Sequence, residues 1–299
     1  MIKYCTILND HQFNYFEVMM KSYTRTQSIK WPWIIYDCGL SRDNIKRIND
    51  LYNDIEFKDI NYNLYEGIQF YKSNREWFHN ESRKGVYNAA YRFDIFLEEG
   101  PEWLFYIDSD VIFAKDVSKV FDLRDNRRKQ IMDECDVIAG PRSFDRFEEL
   151  RKSGGIETRN GSMQYINAGI MAIRNTVRTI DTHRRLVHMC RTRRYEGNQQ
   201  PLNEIVIGMK WKLSLLSPWY NMQTEMWRDD LLKHGDENFH DCIKILHLTG
   251  AKDPDAYSSR ENFYKSLGRH YNDNKKICAE VYTKYISPLT LGQELDVVC

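Results

Sequence analysis

The sequence predicts an α/β fold with a mostly parallel sheet flanked by helices, and three observations carry that expectation. Apolar runs of strand length alternate with helix-length amphipathic segments from the first residues onward, the pattern of right-handed βαβ units. A different kind of run, Trp103-Leu104-Phe105-Tyr106-Ile107, is apolar without alternation, as in a strand buried on both faces. Finally, 299 residues without a Gly- or Ser-rich linker, internal repeat or low-complexity tract read as one large domain over residues 1–257 with a helical extension over 258–299.

Taken in order, Lys3 to Leu8 reads as the first strand and Asn9-Asp10 as the turn at its carboxyl end. Tyr15 to Thr26 follows as a helix, with Phe16, Met19, Met20 and Tyr23 at helical spacing. Trp33 to Tyr36 is the second strand, and Asp37 to Ser41 turns the chain into a polar helix, Arg42 to Tyr52, with Ser41 as its cap. Residues 56–83 show no clear period and read as short strand and loop. Lys84 to Glu98 reads as a helix packing Val86, Ala89, Ala90, Phe93, Ile95, Phe96 and Leu97 inward. It also carries Arg92, which on a helix surface would ordinarily be solvated.

Beyond the Trp103 strand, Val117 to Leu123 reads as a short helix or turn and Asp136 to Ala139 as a strand. The long polar segment 140–164, with Gly154-Gly155 and Gly161, is of the kind that forms lids or binding loops. Tyr165 to Ile173 is an apolar strand interrupted by Asn167 and Gly169; the glycine marks either a close approach or a plain bulge, and a buried Asn wants partners. Thr179 to Arg194 is a basic amphipathic helix, and Asn198-Gln199-Gln200-Pro201 opens the next one. Trp211 to Leu216 is a strand and Pro218 to Asn221 a turn. Ile243 to Leu246 is the last strand, delivering His247 and the loop to Pro254.

Composition removes several classes. Lys plus Arg equals Asp plus Glu at 43 each, which gives no sign of a chain adapted to nucleic acid. The clusters Arg184-Arg185 and Arg191 to Arg194 read as solvated helix faces or as a patch attracting phosphate. Seven cysteines, scattered singly, lack paired metal-ligand spacing and fit reduced thiols. No apolar run approaches the roughly 18 residues of a membrane span. Ile2 to Leu8 alternates like a strand directly after Met1, with no cleavable leader, so the expected location is cytoplasmic.

Chemistry enters at Asp108-Ser109-Asp110. Two carboxylates at the end of an apolar strand are costly unless paired, and hard oxygen ligands suit Mg²⁺ or Mn²⁺ completed by substrate phosphates. The carboxyl edge of a parallel sheet is also where ligands bind. The competing reading is a turn or helix cap, a common use of Asp-x-Asp triplets.

These motifs together resemble the glycogenin-like retaining glycosyltransferases of the GT-A fold, and are similar to bacterial lipopolysaccharide galactosyltransferases, over most of residues 3–254. The resemblance implies a metal-dependent transferase moving a hexose from a UDP-sugar to a glycan, lipid-linked or protein acceptor, with Asp108, Asp110 and His247 binding Mn²⁺ or Mg²⁺. It implies donor-diphosphate contacts at Arg92, Gly250 and Lys252, and uracil contacts at Asp10 and Phe13. Ser109, Asn167, Ala168, Gly169 and Gln200 are implied to line the nucleotide sugar, with Asn198 and Gln199 facing the sugar and the reacting carbon. The chain departs from the family pattern at Asn198, where Asp is usual, at Phe13, where Tyr is common, and at Lys252, one residue closer to its His.

The Asn198-Gln199-Gln200 segment offers amides only, neither a general base nor a carboxylate nucleophile, which agrees with the implied retention of configuration. Glu204, Glu225 and Asp229 lie further along and would be the alternative carboxylates. Two rival functions are a nucleotidyltransferase, which would carry a Gly-rich loop after the first strand, and a catalytically silent sugar-nucleotide-binding protein. Asn9-Asp10-His11-Gln12-Phe13 contains no glycine.

Overall fold

A computed structural model describes residues 1–68, 88–118, 126–141, 166–193, 195, 198–224, 239–249, 255–268, 271–272 and 274–290. Seven strands form the main sheet in the order β3-β2-β1-β4-β7-β6-β8. They are β1 (Ile2–Leu8), β2 (Trp33–Asp37), β3 (Ile55–Asp59), β4 (Trp103–Ile107), β6 (Val137–Pro141), β7 (Ile166–Arg174) and β8 (Leu213–Leu215). A smaller sheet joins β5 (Val111–Phe113), β10 (Ile245–His247) and β9 (Met222–Gln223) in the order β5-β10-β9.

The first four strands are parallel, as their βαβ connections require. Between β1 and β2 lies helix α1 (Phe13–Thr26), and between β2 and β3 helix α2 (Arg42–Leu51), whose first turn is capped by Ser41 Oγ accepting from the Asn44 amide at 3.3 Å. Strand β7 runs against this direction, antiparallel to both β4 and β6. That reversal brings the amino end of β7 beside the carboxyl end of β4, with Ile107 opposite Ile170. Asn167, Ala168 and Gly169 therefore come to lie next to Asp108, whose amide donates to the Gly169 carbonyl at 2.8 Å.

Period-two alternation splits the core between the sheet faces. Leu104 and Tyr106 join Cys5, Ile34, Phe93 and Met171 on one side, while Trp103 and Phe105 join Tyr4, Phe16, Trp33 and Tyr23 on the other. Tyr4 sits inside an edge-to-face aromatic group with Tyr23, Trp33 and Phe105 at ring distances of 5.7, 5.2 and 5.5 Å. Each such pair contributes about 0.5–1.5 kcal/mol beyond its burial. A third apolar cluster covers the small sheet, packing Ile112 and Leu246 against Tyr257, Phe263, Ile277 and Ile286 from the segment after β10.

Two expectations change. The helix expected from Lys84 to Glu98 is, where described, a single α-turn, α3 (Asn88–Tyr91), tightened into a 3₁₀ helix over Arg92–Leu97. Arg92, Phe93, Asp94, Ile95 and Phe96 are all buried in it, with Arg92 9% exposed instead of solvated, whereas Leu97, expected to pack inward, ends the piece exposed. The second change is that His247 is the last residue of β10 and not the first of a loop. Elsewhere the basic helix is α5 (Ile180–Thr192), following α4 (Asn126–Asp133), and the amide-rich segment opens α6 (Gln199–Gly208). The segment expected as a lid lies outside the described residues from 142 onward, as do Gly250 and Lys252.

Candidate active site

The corner between the two sheets makes the site. Strand β4 ends at Ile107, Asp108 to Asp110 turn the chain, and β5 leaves antiparallel to β10, pairing Val111 with His247. The turn is closed on the other side by the Leu248 amide, which donates to the Asp110 carbonyl at 2.8 Å. Three side chains from two distant stretches of sequence thus meet. One ligand atom each from Asp108, Asp110 and His247 lies within 4.8 Å of the others. His247 Nε2 is 3.3 Å from Asp110 Oδ1 and 3.6 Å from Asp108 Oδ2.

The surroundings test whether these residues fit a cation. Burial alone would disfavour a charge on His247, yet the Asp110 carboxylate and, after it, Asp108 outweigh this and hold its pKa above the ordinary imidazole range. Two carboxylates converging on one nitrogen at a sheet corner are a concentrated negative field, which a divalent ion relieves better than a single proton. Gly169 supplies the room: a Cβ there would collide with the His247 ring and come within 2.6 Å of Asp108 Oδ2 and 2.9 Å of Asn167 Oδ1. The glycine in β7 is therefore the close-approach kind. Oxygen, oxygen and imidazole nitrogen are a donor set suited to Mn²⁺ or Mg²⁺, so the residues present fit the ion.

Arg92 reaches the same corner. It donates to Asp108 Oδ1, which also accepts from the Tyr106 hydroxyl at 2.7 Å, and its guanidinium lies 4.4 Å over the Tyr106 ring. Asp108 is thereby fixed at Oδ1 and turns Oδ2 toward His247. Ser109 is buried between the two carboxylates.

On the β7 side, Asn167 is buried, its Oδ1 accepting from Gly169 N at 2.8 Å and its Nδ2 donating to Gln223 Oε1 at 2.8 Å. Gln199 is tied to the same strand, with Oε1 accepting from Ala168 N at 3.2 Å. Asn203, one turn along α6, clasps Ile166 through both backbone groups, accepting from its amide at 2.8 Å and donating to its carbonyl at 3.3 Å. The helix start is thus docked on β7, with Asn198 buried at the N-cap position and Gln200 partly exposed beside it. Glu204 faces elsewhere, accepting from Arg193 at 2.6 Å and from Tyr195 at 2.9 Å on an exposed flank. Glu225 and Asp229 lie outside the described residues.

The expected uracil pair takes a different form. Phe13 is a core residue, 2% exposed, with the Arg47 guanidinium 4.4 Å over its ring, so it has no free face to stack on a base. Its place at the start of an amphipathic helix made it inward-facing. Asp10 is exposed and holds the α2 entrance, its Oδ1 accepting from Ser41 N at 2.7 Å and Asn44 Nδ2 at 2.9 Å; among the described residues Oδ2 is unengaged.

Sequence reasoning passed over Tyr106, Asn221 and Gln223. The first was hidden in a core-like run. The others sit in a segment with no period, and their function depends on what β10 and β7 bring beside them.

A mostly parallel, helix-flanked sheet with this corner is the architecture of a GT-A glycosyltransferase. Residues 8–254 match the family described as glycosyl transferase family 8, and the chain belongs to that family. Among solved structures it is similar to the galactosyltransferase LgtC in complex with donor and acceptor sugar analogs, with a TM-score of 0.60, 15% identity, 90% of this chain and 94% of that chain covered. It is also similar to the bifunctional glycosyltransferase WbbM, at TM-score 0.55 and 12% identity over 92% of this chain and 52% of that one. The apo form of the glycosyltransferase GlyE from Streptococcus pneumoniae TIGR4 matches at TM-score 0.53 and 16% identity, covering 95% of this chain and 63% of that one. No curated protein matches the chain. The chain is therefore a nucleotide-sugar glycosyltransferase, which sets nucleotidyl transfer aside. No helix among the described residues is long and apolar enough to cross a membrane.

Proposed function

We propose that this glycosyltransferase moves a hexose from a UDP-sugar to a hydroxyl acceptor, a glycan, lipid-linked or protein one, with a divalent cation and with retention of anomeric configuration. The observation that carries the reading is the convergence of Asp108, Asp110 and His247 at the carboxyl edge of the sheet. When bound there, Mn²⁺ or Mg²⁺ supplies electrostatic stabilisation of the departing nucleoside diphosphate. Arg92 is tethered to Asp108 and adds fixed positive charge at the same corner, while Gly250 and Lys252, which follow β10 in the sequence, would contact the diphosphate.

Asp10 is the residue for the base: its unengaged Oδ2 can accept from the uracil imide, and Phe13 supports that turn from beneath. Asn167, Ala168, Gly169 and Gln200 would line the sugar, and Ser109 the nucleotide. Gln199 is held beside β7 through Ala168 N, where its amide can support positive charge developing on the sugar.

Retention follows from what the corner offers. Among the described residues its carboxylates are Asp108 and Asp110, and the cation takes both. Neither is left to deprotonate an acceptor from the far face, as inversion needs. Gln199 and Asn198 are amides and form no glycosyl ester. The acceptor proton then passes to the departing phosphate on the same face. Six described cysteines are free thiols, which fits a reducing compartment such as the cytoplasm. We read residues 258–299 as an extension of the same domain, since Phe263 and Ile277 complete the core over the small sheet.

A screen of UDP- and GDP-sugars for Mn²⁺-dependent hydrolysis tests the donor. We expect turnover with one UDP-sugar and loss of it on chelation; preference for a GDP-sugar removes the uracil assignment. The anomeric proton coupling of the product from an α-linked donor should report an α linkage, and a β linkage would overturn retention.

A further inference from the structure

Strand β9 and the residues flanking it, Asn221 to Thr224, form a buried polar strap. Each polar side chain in it reaches a different part of the corner. Asn221 Oδ1 lies 2.8 Å from His247 Nδ1. Gln223 bridges β7 to β6, accepting from Asn167 Nδ2 and donating to the Pro141 carbonyl, both at 2.8 Å. Thr224 donates to the Thr249 carbonyl at 2.8 Å, fixing the chain just past His247.

We infer that Asn221 is a positioning residue for the cation site: its side-chain carbonyl fixes the His247 tautomer that leaves Nε2 bare toward Asp108 and Asp110. The inference rests on the cation reading given above. A carbonyl oxygen only accepts, so a hydrogen bond to it places the imidazole proton on Nδ1. Nε2, the atom facing both carboxylates, then presents its lone pair to a cation.

The carbonyl has little freedom to turn away. Asn221 is fully buried, and its Nδ2 has no partner among the described residues, so the side chain accepts an orphaned donor to keep Oδ1 on the histidine. Its amide packs against Gly140, where an added Cβ would clash with Nδ2 and come within 2.7 Å of Asn221 Cβ. Gly140 and Gly169 thus both make room around one imidazole, the first for the group that orients it and the second for the ring itself.

Free Mn²⁺ measured by electron paramagnetic resonance during titration of the intact chain, without nucleotide, tests this. Asn221→Leu, similar in size but without an acceptor, should weaken Mn²⁺ binding about 10- to 100-fold, the usual cost of losing a group that orients a metal ligand. Asn221→Asp keeps an acceptor and should restore binding. Gly140→Ala should weaken it while leaving Asn221 in the sequence. A second readout is independent of affinity: long-range ¹H–¹⁵N spectra of the metal-free wild type at alkaline pH should show His247 with its proton on Nδ1, mixed with the other tautomer in Asn221→Leu. An Nε2-protonated wild type, or an Asn221→Leu protein that folds and binds Mn²⁺ within about twofold of wild type, overturns the inference. If Asn221→Leu does not fold, the wild-type spectrum and Gly140→Ala decide. Failure of the wild type itself to bind Mn²⁺ removes the cation reading instead, while the tautomer still reports on Asn221.

Discussion

Two Asp–His clusters among the described residues have opposite characters. At the corner of the two sheets, His247 Nε2 faces two carboxylates, and among the described residues no side-chain donor bridges it to either. In the other cluster Asp94, Tyr65 and His183 are more deeply buried than the two corner aspartates; His183 Nε2 is 3.4 Å from Asp94 Oδ1, and the Tyr65 hydroxyl bonds to both. It donates to Asp94 Oδ1 and lies 2.9 Å from His183 Nε2. Burial, and then the Asp94 charge, keep the Tyr65 phenol protonated far above its ordinary range. The second cluster is therefore satisfied internally and braces the 3₁₀ helix that carries Arg92. Residue types do not separate a ligand site from a structural brace; the presence or absence of a hydroxyl shared by acid and base does.

Substitutions should separate the clusters along the same line. The largest effect is expected at the corner. Asp110→Asn should lower turnover by about 10²–10³-fold, the scale for losing one electrostatic stabiliser. At alkaline pH, where His247 is neutral, it should leave thermal stability of the metal-free protein unchanged or raised, because it removes one of two like charges. Asp108→Asn should lower turnover as far and also cost about 2 kcal/mol, because it strips buried Arg92 of its carboxylate; partial exposure of Asp108 keeps that below the full buried-pair figure. Thermal melts of the two metal-free variants check the asymmetry, and equal melting temperatures would show that the Arg92 pair contributes nothing.

Gly169→Ala comes next. Its methyl group enters the space of His247 and Asp108, so Mn²⁺ affinity should fall by more than about tenfold, with a smaller loss of stability because the fault lies at a strand end. Tyr65→Phe should do the reverse. Removing the shared hydroxyl leaves Asp94 and His183 short of a partner at a cost of about 1–3 kcal/mol, visible in denaturant unfolding, while Mn²⁺ affinity stays at the wild-type value. A Tyr65→Phe protein with wild-type stability would break the comparison.

The smallest effect is in pH. A proton and a cation compete for His247 Nε2, and the neighbouring carboxylates hold the metal-free pKa above the ordinary value of about 6.5. Protonated imidazole therefore persists to higher pH than usual, and Mn²⁺ affinity should rise with pH through and beyond that value. In the metal-free protein the sign is opposite. A raised folded-state pKa stabilises the fold below the unfolded pKa, and this is lost as pH rises through the folded one. Titrations and melts at several pH values read both slopes.

How much of this was legible in the sequence follows from how local each signal is. Strands β1, β2 and β4 and helices α1 and α2 announce themselves by period, by an unbroken apolar run in β4 and, at Ser41, by a cap, because their apolar faces and first turns lie within a few residues. Asp108 and Asp110 were readable because carboxylates break an apolar run. Asn167 and Gly169 stood out as interruptions of an apolar strand, but their roles and that of His247 came only from family resemblance, since the antiparallel entry of β7 and the pairing of β5 with β10 are what bring them together. Asn221 and Gln223 carry no local signal at all, the one flanking and the other ending a strand of two residues. Phe13 failed for the converse reason: helix amphipathicity turned it into the core.

The central claim is that Asp108, Asp110 and His247 hold one divalent cation. Crystals grown with Mn²⁺ and UDP, measured on both sides of the manganese absorption edge, test it directly. The account predicts an anomalous peak bonded to a carboxylate oxygen of each aspartate and to His247 Nε2, with His247 Nδ1 still on Asn221. A nucleotide-bound crystal whose manganese peak lies away from these three residues would contradict it.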